Sequence, residues 1–574
     1  MISTDEQRPW LASYAPDVAA DVVVPEESLT AALERGAAEY PDRVALDFMG
    51  RTTTYAELWD EVRRAASALI GLGVVPGDRV AVALPNCAAH VVAFYATLRI
   101  GAVVVEHNPL YTDSELAHQL ADSGAVVAVC WEQTAVAVAR VQGRTSVRTV
   151  VAVDLSRDLP RVKRWALALP VPAARALRTS MRAVVPDGVL RWDRLVRGAS
   201  VLAAEHPSPV GDDLALLQYT GGTTGTPKGA MLLHRHLVAN AVQGAEWTGA
   251  ARAAAAGEPP AVVFGVLPFF HAFGLTLCLS YTIRIGATLV LFPKFDVGTV
   301  LAAQKRRPGT FLPAVPPMLD RLATAARASG ADLTSFRYAI CGAMPLSAAT
   351  AQAWESVTGG LAIEGYGMTE TSPVALGNPV SSARRPGLLG VPFPSTWARV
   401  AVQDDPSRAV APGERGELQV SGPQVFEGYW QQPEESAQCF VEADGRTWLR
   451  TGDVVVMDED GFVTVVDRIK EMIITGGFKV FPSQVEDLLR QMPGVEDVAV
   501  VGIPGGDLGE KVVAAVVLEP GVDGFDLETV RAWCAQHLAR YALPRQLVVV
   551  KDLPRSQIGK VMRRVVRDQI LAAS

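Results

Sequence analysis

Residues 219–229 read Y-T-G-G-T-T-G-T-P-K-G and supply the groups an anion site needs. Four glycines let backbone N–H groups approach a phosphate closely, while threonine hydroxyls and one lysine add donors and a cation. Thr220, Gly221, Gly222, Thr223, Thr224, Gly225 and Lys228 are therefore read as a polyphosphate cradle. A Walker A loop is excluded, because it needs Gly-Lys followed by Ser or Thr, whereas Lys228 stands between Pro227 and Gly229. The apolar run 214–219 predicts a buried strand before the loop, and 230–240 predicts the opening of a helix after it.

Five more motifs follow in order. Residues 267–274 read L-P-F-F-H-A-F-G, 364–370 read E-G-Y-G-M-T-E and 448–453 read W-L-R-T-G-D. Then come D-R-I-K-E at 467–471 with G-G-F-K-V-F-P at 476–482, and P-R-S-Q-I-G-K-V-M-R-R at 554–564. This set resembles the signatures of the adenylate-forming superfamily of acyl-CoA synthetases, luciferases and peptide-synthetase adenylation domains. The phrases R-P-W-L at 8–11, N-P-L-Y-T at 108–112 and G-P-Q-V-F-E-G-Y-W at 422–430 resemble bacterial long-chain fatty acid CoA ligases, so the likeness covers nearly the whole chain.

The resemblance implies an α/β fold: a large N-terminal domain of several subdomains, residues 1–467, and a small mobile C-terminal α+β lobe, residues 468–574, hinged near Lys470. It also implies ATP, Mg²⁺ and coenzyme A as cofactors or co-substrates, and a fatty acid as partner. A carboxylate is a weak nucleophile with a poor leaving group. ATP converts it to an acyl-adenylate with loss of pyrophosphate, and a thiol then displaces AMP. Positioning and electrostatics carry such a reaction more than covalent chemistry by the protein.

By resemblance, Lys560 bridges the carboxylate and the α-phosphate, Thr369 contacts that phosphate, and Glu370 with Thr224 holds Mg²⁺. Tyr366 stacks on adenine, Gly342 and Ala343 pass beneath it, and Glu364, Gly365 and Gly367 complete that wall. Asp453 takes the ribose hydroxyls with Arg468 beside it, Lys470 is the pivot, and Gly477 leaves room for pantetheine. His271 borders the carboxylate end of the acid tunnel in a gating role. Amino-acid-activating relatives carry an Asp after the corresponding aromatic pair; residues 270–273 are F-H-A-F, so amino acids are disfavoured. Transfer to a carrier protein instead of coenzyme A, medium-chain or aryl acids, a luciferase-like oxidation and a non-catalytic sensor all stay open.

The elements that must position these residues read as follows. The 574 residues suit two or more domains, and 1–150 alternate Ala-rich helical patterns such as 57–70 with short buried strands such as 79–84 and 125–130. Beyond 467 the pattern is compact: strands at 498–503, 511–518 and 546–551 and a helix at 527–538. A net charge of −8 argues against a nucleic-acid partner. Six scattered cysteines without C-x-x-C read as reduced core residues. The first ten residues lack a secretion signal and no apolar run reaches the length of a spanning helix, so the expected location is cytoplasmic. Residues 155–200 are rich in arginine and carry Trp165, Leu167, Leu169, Leu177 and Trp192. They predict either peripheral contact with the inner face of an anionic membrane or, in the plainer reading, a solvated helix pair with its apolar side on the domain. Oligomeric state stays open, a homodimer included.

Overall fold

A computed structural model describes residues 8–220, 227–475, 478–506, 509–522, 525–556 and 559–573, with the backbone alone at Lys470. Two large sheets and the helices between them make the first body. One sheet runs in the order 428–429, 228–233, 214–220, 103–106, 79–83, 127–131, 149–153 and 190–191. Its strands from 214–220 onward are mutually parallel. The other has nine strands, with a parallel centre made of Leu361–Gly367, Tyr338–Cys341, Phe311–Ala314, Val262–Gly265, Thr288–Leu291 and Val44–Phe48. Parallel sheets need both faces covered, and their strands are accordingly Val-, Ala- and Leu-rich runs with little alternation.

Helix Ala88–Arg99 is apolar on almost every side, and every residue from Ala89 to Arg99 is buried. That is the pattern of a helix enclosed on all faces. Helix Tyr55–Gly71 shows how local chemistry sets a boundary: Thr54 accepts from Glu57 N, and the Glu57 carboxylate accepts from Thr54 N, closing a capping box.

A six-stranded antiparallel sheet follows (397–402, 405–409, 415–421, 440–443, 446–457, 463–468). A three-stranded sheet of Val495–Pro504, Glu510–Leu518 and Gln546–Val549 then carries its own apolar cluster around Val485, Leu489, Val498, Val512 and Val530. The expected α/β architecture is present.

Several expectations change in detail. Residues 228–233 are a strand, antiparallel to Leu214–Thr220, and the helix begins only at His234. The cradle thus joins two hairpin strands instead of leading from strand to helix, because residues 230–233 find pairing partners at 214–218 and can remain extended. The helix expected over 527–538 ends at Cys534. Five cysteines are buried and Cys439 is half-buried. No helix among the described residues is long and apolar enough to cross a membrane.

Candidate active site

In parallel α/β sheets, ligands bind beyond the carboxyl ends of the strands, and the motif residues collect there. Residues 266–274 follow Val262–Gly265, the turn 342–343 follows Tyr338–Cys341, and 368–370 follow Leu361–Gly367. The cradle follows Leu214–Thr220; Gly221, Gly222, Thr223, Thr224 and Gly225 lie outside the described residues, as does Gly477.

Two side chains from the first sheet side fasten the segment containing His271. Asn86 Nδ2 donates to Gly265 O at 3.0 Å and Leu267 O at 2.7 Å, while Phe269 N donates to Asn86 Oδ1 at 3.0 Å. Gln218 Nε2 donates to Phe270 O at 2.7 Å. Gly274 closes the segment because a Cβ there would stand 2.2 Å from Pro268 O. His271 is half-buried, burial lowers its pKa to about 4, and its Nδ1 accepts from Phe273 N at 3.4 Å. It is therefore neutral near pH 7 and carries no charge to the site.

Ala343 adopts φ +66°, a left-handed conformation that costs a residue with a Cβ and is characteristic of functional turns. Gly367 admits no side chain at all, since a Cβ would sit 1.8 Å from Pro373 O. Glu364 is buried, which raises its pKa to about 7, and its Oε2 has no hydrogen-bond partner among the described residues. An unpartnered buried acceptor beside a bare glycine turn fits the amino edge of an adenine ring. Gly365 and Gly342 face each other, with Phe273 packed against the latter.

Tyr366, Asp453 and Arg468 form one cluster. Tyr366 Oη donates to Asp453 Oδ2 at 2.5 Å, and Arg468 Nε lies 2.9 Å from Asp453 Oδ1. Asp453 is paired to Arg468 through the strand register itself. Glu370 is buried, which raises its pKa, and accepts from Tyr429 Oη at 2.5 Å. Lys228 lies over the Tyr429 ring, 5.3 Å from its centroid, and pairs with Glu435. Thr369 opens the 3₁₀ turn Thr369–Thr371. One carboxylate with no further acidic or imidazole cluster among the described residues fits Mg²⁺, which is usually held by one or two carboxylates with phosphates and water.

Lys560 sits on a tight loop closed by Ser556 N donating to Lys560 O and Gly559 N donating to Ser556 O, both at 2.8 Å. That loop lies against the large domain: a Cβ on Gly559 would be 3.4 Å from Met344 Sδ, one residue beyond the 342–343 turn. Burial, with the nearby Arg468 charge, lowers the Lys560 pKa to about 8, while Glu471 and Asp453 oppose the shift. Arg563 braces the loop through Glu486 at 2.8 and 2.6 Å and through Glu471, which neighbours Lys470 in the turn Ile469–Glu471. Asp467 accepts from Ser483 N at 2.8 Å and so ties strand 463–468 to the next helix.

The structure thus brings Tyr366, Glu370, Asp453, Arg468 and Lys560 into one linked cluster, with Glu364, Gly365, Gly367 and Thr369 on the same strand and turn as Tyr366 and Glu370. Tyr429 joins them at Glu370, and Met344 and Arg563 at the Lys560 loop, while Asn86 and Gln218 hold residues 265–270; none of the five had a role assigned from sequence. For Tyr429 the phrase E-G-Y-W was a signal; for Asn86, 183 residues from Phe269, there was none.

An apolar crevice with a cavity volume of about 10 Å³, room for about one water molecule, adjoins Gly365 and is lined by Trp247, Tyr281, Phe311, Ile340, Val374 and Phe393 among others. His271 does not line it.

The AMP-binding enzyme family matches residues 33–430, and the AMP-binding enzyme C-terminal domain matches 484–560. The chain belongs to the AMP-binding enzyme family. It is 35% identical over 559 residues to a long-chain-fatty-acid–CoA ligase of Bacillus subtilis, with 97% of each chain covered. It is 37% identical over 564 residues to one of Salmonella typhimurium, with 98% of each covered. A feruloyl-CoA synthase of Amycolatopsis is 38% identical over 533 residues, 92% of this chain and 96% of that one. Among solved structures, ATP-bound MatB from Rhodopseudomonas palustris superposes with a TM-score of 0.80 at 30% identity, covering 94% of this chain and 99% of that one.

Proposed function

We propose that this AMP-binding family member is an ATP-dependent long-chain fatty acid–CoA ligase, an AMP-forming acid–thiol ligase. The observation that carries the reading is the convergence of Lys560, Tyr366, Asp453, Arg468 and Glu370 from separate motifs on one linked cluster of side chains. Relatives named long-chain-fatty-acid–CoA ligase, matched almost end to end, supply the substrate class.

In this reading the cradle and Lys228 hold the ATP phosphates, with Glu370 fixed by Tyr429 as the protein's Mg²⁺ ligand. Mg²⁺ supplies charge neutralisation on the phosphates. Asp453 takes the ribose hydroxyls, oriented by Tyr366 and Arg468. The acid is already ionised near neutral pH. Lys560 brings its cation between carboxylate and α-phosphate, which offsets repulsion between the two anions. The small lobe, 468–574, then rotates about Lys470, withdrawing Lys560 and bringing Gly477 to the pantetheine. A cytoplasmic location fits these substrates.

One observation favours a second acid class: a feruloyl-CoA synthase is among the relatives, 38% identical to this chain over 533 residues. The test is incubation with ATP, Mg²⁺ and either saturated acids from C4 to C20 or ferulate, with and without coenzyme A, quantifying AMP and thioester. Coenzyme A-dependent thioester peaking at C12 to C18 supports the ligase. Adenylate without thioester points to a carrier protein, a peak at ferulate moves the substrate to aryl acids, and no AMP with any acid refutes the assignment.

A further inference from the structure

We propose that helices Arg161–Ala168 and Pro172–Met181 form a docking surface for an anionic lipid bilayer. Their apolar residues are split between the domain side and solvent. Leu167, Ala174 and Met181 are buried, but Val162 and Trp165 are 74% and 76% exposed. Leu169 and Leu177 are each about half exposed, and Val184 just beyond is 92% exposed. The spacing 162, 165 and 169 puts three of these on one side, opposite Leu167. A surface helix ordinarily turns its apolar stripe to the core, and a contiguous exposed apolar patch marks a site of contact. The helix pair thus seats Leu167, Ala174 and Met181 on the domain, as the plainer expectation has it, and still leaves a second apolar set facing solvent.

Charge selects the occupant. Residues 161–178 hold Arg161, Lys163, Arg164, Arg175 and Arg178 and no Asp or Glu, in a chain whose net charge is −8. Lys163 Nζ donates to Met49 O and Arg178 Nη1 to Leu167 O; among the described residues none of the five pairs with a carboxylate. By contrast, Arg157 and Arg182 at the edges are matched by Asp154, Asp193 and Glu132. A second copy of the chain docked face to face would bring ten unpaired cations together. An anionic headgroup layer offers the opposite sign, and exposed Trp and Leu side chains gain by entering the acyl boundary beneath it. No described helix can span, so the surface lies on the bilayer. A ligase for long-chain acids would thereby meet substrate where it partitions, since a longer acyl chain favours the bilayer more strongly. This last step rests on the proposed substrate; the docking does not.

The test is co-sedimentation of the full chain with phosphatidylcholine vesicles, with and without 30% phosphatidylglycerol. Expected is binding to the anionic vesicles, little to neutral ones, and release at high salt. Arg161→Ala with Arg175→Ala should weaken binding about 25-fold, roughly fivefold per cation. Trp165→Ala should weaken it on the order of tenfold. All variants should turn over octanoate like the wild-type chain, which verifies folding. Equal pelleting of wild type and variants would overturn the proposal, as would a wild type that turns over octanoate and ignores anionic vesicles. A dimer that Trp165→Ala dissociates, without vesicle binding, would assign the face to self-association instead. Vesicle binding without ligase activity would leave the docking intact and sink the catalytic reading.

Discussion

Asn86→Ala is the sharpest probe of how the fold holds the segment proposed to border the acid. Asn86 is 2% exposed and makes three hydrogen bonds to the chain between Gly265 and Phe269, two as donor and one as acceptor. Truncation to Ala removes about 1 kcal/mol per bond and leaves the Phe269 N–H buried without a partner, so roughly 3–4 kcal/mol of local restraint is lost. Gln218 still holds Phe270 O, so the segment shifts without detaching. A displacement of the order of 1 Å costs on the order of 10²-fold in a positioned reaction. Acid-dependent ATP–pyrophosphate exchange should fall by about that factor in kcat/KM for the acid, while KM for MgATP stays within about twofold. Asn86→Asp should be worse than Ala, because a carboxylate oxygen then faces the Gly265 and Leu267 carbonyls. Equal loss in acid and ATP parameters, or an Asp variant more active than Ala, would refute the reasoning.

The pH dependence of adenylation should follow Lys560, whose pKa is lowered to about 8. The cation is the working form, so kcat/KM for ATP is expected to be level below about pH 8 and to fall about tenfold per unit above it. Lys560→Ala should abolish that limb and cost 10²–10³ in adenylate formation, with thioester formation from supplied acyl-adenylate largely retained. Tyr429→Phe removes the donor to Glu370, a hydrogen bond to a charged group worth about 1.5–3 kcal/mol. Titration of Mg²⁺ should show a requirement raised on the order of tenfold, most at low pH where the buried carboxylate is more easily protonated. An unchanged Mg²⁺ curve would remove Glu370 as ligand.

The candidate site residues were legible because they travel in contiguous motifs. Y-T-G-G-T-T-G-T-P-K-G and E-G-Y-G-M-T-E each bring donors and glycines together within a few residues, where spacing along the chain limits separation in space. The α/β class was legible too, since buried parallel strands must be apolar on both faces. The helix expected directly after the cradle was not, because 230–233 reads as either helix or buried strand until its pairing with 214–218 is known.

What the sequence by itself determined is the chemistry on offer: anion donors, one lysine in the C-terminal motif, carboxylates at 370 and 453, and no acidic residue at 270–273 to hold an amine. Tertiary structure alone decided how these act. It placed Tyr366 on Asp453 across 87 residues and Asn86 on Phe269 across 183. It lowered the Lys560 pKa through burial beside Arg468 and turned Trp165 outward while Leu167 turned in. Such outcomes depend on burial and on partners distant in sequence. Desolvation and charge–charge terms act through space, and local pattern carries no record of which surfaces meet.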